Sequence, residues 1–178
     1  MGHAVGGWHH LKGEPVDDEV TAAQLTPAAR DTLAAELAEV VVGRAAPEEL
    51  VLFKENAADY FHDPGAALRS GRRDEPVGFG LDLLTVTPYA LAVAVPVVQY
   101  LATTLVEAVA EESATHVVAR IRRLFRRQEP EAAPRSEKLS EEQLRRVREV
   151  AYQAAQGVKL DDDQANLLAD AVVGGLVR

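Results

Sequence analysis

The spacing in this chain that comes closest to a catalytic pair is Asp59-x-x-His62, which on a helix puts a carboxylate and an imidazole on one face. A general base also needs a nucleophile or a metal within reach, and the neighbouring sequence supplies neither. Asp63, next to His62, reads as the end of a helix. Glu112 and His116 stand four residues apart, the spacing of a surface pair. Asp161, Asp162 and Asp163 are acidic like a calcium loop but lack its alternating ligand spacing and its later glutamate, and Asp161 already serves as a helix cap. Asp82, if buried, would matter in a membrane setting, and capping the turn after it explains it as well. His9 and His10 are adjacent, so a helix would point them apart; with His3 and Trp8 they belong to a glycine-containing tail. There is no phosphate-cradling glycine loop, no Gly-x-Ser-x-Gly elbow and no His-Glu-x-x-His. Cysteine is absent, which removes thiolate chemistry, disulfides and Cys-type zinc sites. The expectation is a non-enzyme with no catalytic, cofactor-binding or metal site and no evident small-molecule substrate.

What must be positioned is therefore a set of surfaces, and composition says what builds them. Hydrophobic residues make up 47% of the chain but aromatics only 5%. A core of Ala, Val and Leu favours close-packed helices over a sandwich or barrel, whose strands draw on aromatic and β-branched residues. The net charge is −9, with the acid concentrated in the amino-terminal half. That half repels phosphate, so nucleic acid is not an expected partner. Met1–Lys12 has no apolar run and does not read as a secretory signal, so any membrane contact would come from an internal segment and the expected location is cytoplasmic or at the inner membrane.

Along the chain, 1–20 reads as a flexible arm and 21–127 as a helical domain. Thr26-Pro27 is a helix start, with a side-chain acceptor followed by a proline that costs nothing at the first position. Leu33, Leu37, Val40 and Val41 follow on one stripe, and Gly43 fits the stop. Pro47 opens a second helix, with Glu48 and Glu49 in its first turn and Leu50, Phe53, Ala57, Tyr60 and Phe61 as its apolar side; Asp63-Pro64-Gly65 ends it. From Arg69 to Pro76 the chain reads as a charged loop. Val77, Phe79, Leu81 and Leu83 then alternate with Gly78, Gly80 and Asp82, which predicts a short strand or extended run within 77–86. Residues 128–138 form a proline-containing linker. Ser140-x-x-Gln143 is a capping box ahead of Leu144, Val147, Ala151 and Ala154, with Gly157 as the stop; Asp161-x-x-Gln164 opens another helix bearing Leu168, Ala171, Val172 and Leu176. Residues 139–178 are thus expected to be a helical hairpin module on a tether.

Thr87-Pro88 repeats the helix-start pair, and from Pro88 to Val106 no side chain is charged across 19 residues. That run spans about 28 Å as a helix, close to the apolar thickness of a bilayer. The helical stripe continues through Val109, Val117, Ile121 and Leu124, so one helix kinked at Pro96 could reach Arg127. Two placements fit. In the first the helix enters or docks on a membrane through Tyr89, Leu91, Val93, Val95, Val97, Val98, Leu101 and Leu105, with Tyr89 and Tyr100 near the interfaces. Arg120, Arg122, Arg123, Arg126 and Arg127 would then meet anionic headgroups on the cytoplasmic side. In the second it is the central helix of a bundle, or is buried in a partner or a second copy, and the arginines complement its carboxyl end. Gln99, Pro96 and the threonines weigh against a span, and length does not separate the two placements.

The run Gly78-Phe79-Gly80-Leu81-Asp82, the apolar helix, Ile121–Arg127 and the tail from Leu139-Ser140-x-x-Gln143-Leu144 through Leu167–Gly174 resemble small uncharacterised helical proteins of GC-rich bacteria. Some similar proteins are thought to accompany effector or sensor modules in bacterial conflict systems. The resemblance covers about half the chain and implies no catalytic residue. Its implication is an accessory role, in which the apolar helix inserts or docks and the helical hairpin recruits a protein partner. The alternative is a soluble helical adaptor that self-associates.

Overall fold

A computed structural model describes residues 25–71, 85–107, 114–125 and 138–177. Within them the chain is all-α. Seven helices run α1 (Pro27–Ala45), α2 (Phe53–His62), α3 (Pro64–Ser70), α4 (Val86–Glu107), α5 (Ala114–Phe125), α6 (Glu141–Gly157) and α7 (Asp162–Leu176), with a 3-10 turn at Pro47–Val51. The strand expected within 77–86 falls mostly outside the described residues, and its last residue, Val86, is helical. The arm at 1–20 and nearly all of the linker at 128–138 also lie outside.

The caps form where side-chain chemistry asks for them. Thr26 Oγ1 accepts the Ala29 amide at 3.2 Å ahead of Pro27. Both capping boxes close: Ser140 with Gln143 at 3.2 and 2.8 Å, and Asp161 with Gln164 at 2.8 and 3.4 Å. Three expected boundaries move. Gly43 lies inside α1, which runs two residues further. Asp63-Pro64 ends α2 but also starts α3, because the Asp63 carboxylate accepts the Ala66 amide at 2.9 Å and Pro64 takes the first helical position. Arg69 and Ser70, expected in a loop, are therefore helical. Gly157 is the last residue of α6, and the left-handed residue that closes the helix is Lys159, at φ 63°. Lys159 N–H donates to the Gln156 carbonyl at 2.8 Å and Leu160 N–H to the Ala155 carbonyl at 3.2 Å, the paired bonds of a Schellman turn.

One core collects the apolar faces. α4 lies at its centre, packed most extensively on α1 and then on α6, with α2, α3 and α5 also against it. Leu33, Leu37 and Val41 of α1, Val147 and Ala151 of α6, and Leu168 and Val172 of α7 join it with almost no exposure. α6 and α7 pack on each other, and α6 also meets α4 while α7 also meets α1, so their apolar stripes join the same core. α7 comes close to α1 at Gly175, where a β-carbon would come within 2.9 Å of Val40 Cγ1. α5 packs back on α4. The one helix kinked at Pro96 and running to Arg127 is therefore not what forms: along a continuous helix residues 107 and 114 would be about 10 Å apart, and the two segments could not pack on each other.

Candidate functional site

The start of α4 is held from outside. The Glu49 carboxylate accepts Val86 N–H at 2.6 Å, Thr87 N–H at 2.9 Å and the Thr87 hydroxyl at 2.7 Å. These are orphan donors at the positive end of the helix dipole, and Thr87 is fully buried. Thr87 was expected to act as the cap; it is instead a capped residue, and the acceptor comes from the 3-10 turn 38 residues earlier. One residue before the helix, Thr85 N–H donates to the Gly71 carbonyl at 3.1 Å. Gly71 lets this corner pack tightly: a β-carbon would sit 3.1 Å from the Tyr89 ring and 3.4 Å from the Thr85 carbonyl oxygen, so the ring would have to shift by a few tenths of an ångström.

Tyr89, read as an interfacial aromatic, is fully buried and donates its hydroxyl to the Leu68 carbonyl at 2.9 Å. Leu91, Val93, Val97, Val98 and Leu101 have no exposure, and Leu105 has 7%. Of the eight positions suggested for membrane or partner contact, only Val95 reaches the surface in part. The others are occupied by contacts within the chain, so their side chains are not a free surface.

The face of α4 that does reach solvent was not singled out from the sequence. Ala92, Val95, Pro96 and Tyr100 are half-buried, and Gln99 and Thr103 are exposed. At 100° per residue these positions fall on one stripe centred on Ala92, Pro96, Gln99 and Thr103. None is charged. The hydropathy pattern hid this stripe, because Ala, Val, Pro and Tyr count toward the same apolar run as the core positions.

The arginine cluster divides. Arg122 Nε donates to both Glu36 carboxylate oxygens at 2.9 Å, tying α5 to α1. Arg123 Nε donates to the Ala119 carbonyl at 3.3 Å, and Arg120 is half-buried with interactions of its own. Arg126 and Arg127 lie outside the described residues. In the 3-10 turn and just after it, Leu50, Val51 and Leu52 are exposed, Val51 by 88%. Leu50 was expected on the buried side of a continuous helix; the 3-10 turn rotates it outward while Phe53, Ala57 and Tyr60 stay inside.

His62 and Asp59 are both exposed. Asp162 accepts from the Tyr152 hydroxyl and the Gln156 amide, each at 2.9 Å, and its bond to Tyr152 raises that phenol's pKa. Burial, and then the Asp31 carboxylate, raise Tyr60 above its ordinary value, while Arg30 acts the other way. Arg148 donates to Asp170 at 2.8 Å and Asn166 at 2.9 Å, joining α6 to α7, and the Asp170 bond raises its pKa. Among the described residues no group of three or more metal-ligating side chains comes together. One described helix, over Val86–Leu105, is long and apolar enough to cross a membrane, and 67% of its apolar window is buried inside the chain.

No protein-family model matches the chain, and neither does any curated protein or solved structure.

Proposed function

We propose that this chain is a non-enzymatic helical interaction protein that works in aqueous solution, with α4 as its own core helix and its outer faces as binding surfaces. The observation that carries this reading is the burial of α4. Tyr89, Leu91, Val93, Val97, Val98 and Leu101 are all at 0% exposure. Moving α4 into a bilayer would cost little for its own apolar side chains, because lipid is as apolar as the core. It would instead uncover Leu33, Leu37 and Val41 on α1 and Val147 on α6, at about 1.5–3 kcal/mol for each large side chain. It would also break the Glu49 bonds and the Tyr89–Leu68 bond.

A second reading, a membrane-associated accessory protein, is favoured by one observation, the length and composition of Val86–Leu105. Fractionation of cells making the native chain separates the two. Recovery in the soluble fraction, or release by salt alone, fits the bundle. Retention in the pellet through salt and carbonate until detergent is added would refute it in favour of insertion.

A further inference from the structure

We propose that the open stripe of α4 binds a second copy of this chain, antiparallel, about a two-fold axis beside Pro96. This deepens the interaction reading above and rests on it.

Charge is the first observation. Every other helix among the described residues carries charge at exposed positions: Glu39 on α1, Lys54 on α2, Arg69 on α3, Arg123 on α5, Glu149 on α6 and Asp170 on α7. The open face of α4 carries none over three turns. Copies of a chain with net charge −9 repel one another at long range, and this stripe is where they can meet without opposing like charges.

The second observation selects the occupant. Pro96 has no N–H, so the carbonyl of Ala92, four residues earlier, has lost its helical donor. Ala92 and Pro96 both lie on the open stripe, which places a freed acceptor on an otherwise uncharged face. Gln99, exposed on the same stripe, carries two amide donors. Ala92 and Gln99 are seven residues apart, two turns along one face. In an antiparallel pair centred between Val95 and Pro96, the Gln99 amide of each copy stands over the Ala92 carbonyl of the other. An isologous contact makes the same bond twice. A second copy thus supplies, in register, the donor that the Ala92 carbonyl has lost.

One crossing of two helices covers well under the ~800 Å² per partner of a standard interface, the size of weak, reversible contacts, so the pair is to be sought at high protein concentration.

Sedimentation equilibrium on the soluble full chain, at up to about 1 mM, tests this against three variants. Gln99→Ala removes the donor that each copy offers to the Ala92 carbonyl, and Gln99→Glu puts a carboxylate against that carbonyl; the first should weaken association several-fold and the second about tenfold or more. Pro96→Ala returns the helical donor to the Ala92 carbonyl and should weaken association without loss of monomer stability. A wild type that stays monomeric, or Gln99 variants that associate as well as the wild type, overturns the proposal. So does a Pro96→Ala variant that associates as tightly as the wild type. A soluble monomer leaves the interaction reading standing and removes only the second copy. A chain that needs detergent for extraction removes both.

Discussion

Replacing Glu49 with alanine should loosen the start of the central helix, and the geometry fixes how much. The carboxylate accepts three hydrogen bonds, at 2.6, 2.9 and 2.7 Å, from Val86 and Thr87. A hydrogen bond to a charged group contributes about 1.5–3 kcal/mol, and a buried donor left unpaired costs about 1–3 kcal/mol. The three share one acceptor group at one helix end, so they are not additive. Glu49 itself is only half-buried, so water can reach part of the vacated site. These limits put Glu49→Ala near 3 kcal/mol, roughly a third of the stability of a domain this size. Glu49→Gln keeps one acceptor and loses the charge that faces the helix dipole, so about 1–2 kcal/mol is expected. Glu49→Asp shortens the reach by one methylene and should behave more like alanine than like glutamine. Urea unfolding followed by far-ultraviolet circular dichroism reads these as shifts in midpoint at constant slope. Glu48 is the control, since it is exposed and makes none of these bonds; Glu48→Ala should stay within about 0.5 kcal/mol of the wild type. Equal effects at the two positions would show that Glu49 does not hold α4. The same clamp exists only while α4 is packed in the bundle, so its measured strength also bears on the soluble reading.

Other expectations concern helix ends, close approach and pH. Lys159→Gly should stabilise by about 1 kcal/mol because glycine accepts φ 63° without strain, and a lower urea midpoint would contradict the Schellman turn. Gly157→Ala, with nothing within 4 Å of the added methyl, should gain about 0.5–1 kcal/mol in the same assay. Gly175→Ala should lose about 1–3 kcal/mol, because its β-carbon would meet Val40 at 2.9 Å; a neutral result would mean that α1 and α7 can separate freely. Tyr60 has a raised pKa in the folded chain, so it favours folding fully below its unfolded pKa of about 10, and this is lost as pH rises through the folded value. Stability measured from pH 8 to 11 should fall less steeply in Tyr60→Phe than in the wild type, and identical slopes would remove Tyr60 as the cause.

What the sequence determined by itself was local. Thr26-Pro27, Ser140-x-x-Gln143 and Asp161-x-x-Gln164 place a side-chain acceptor within three residues of the amides it satisfies, and all three starts appear where expected. The stripes through Leu33 and Leu37, Val147 and Ala151, and Leu168 and Val172 faced the core for the same reason, since helical period alone brings them to one side. The start of α3 was written in Asp63-Pro64 by the same chemistry but read as a stop, because a proline after an aspartate both ends one helix and begins the next.

Only the tertiary structure decided what lies against what. Glu49 caps a helix 38 residues away, which no local pattern encodes. The Tyr89 hydroxyl finds the Leu68 carbonyl, so an aromatic that could have marked a membrane interface sits in the core. The apolar run over Pro88–Val106 has the composition both of a span and of a core helix, since lipid and protein interior select the same side chains. Which of its faces is covered depends on α1, α5 and α6 arriving from distant parts of the chain, and that arrangement leaves Ala92, Pro96, Gln99 and Thr103 open.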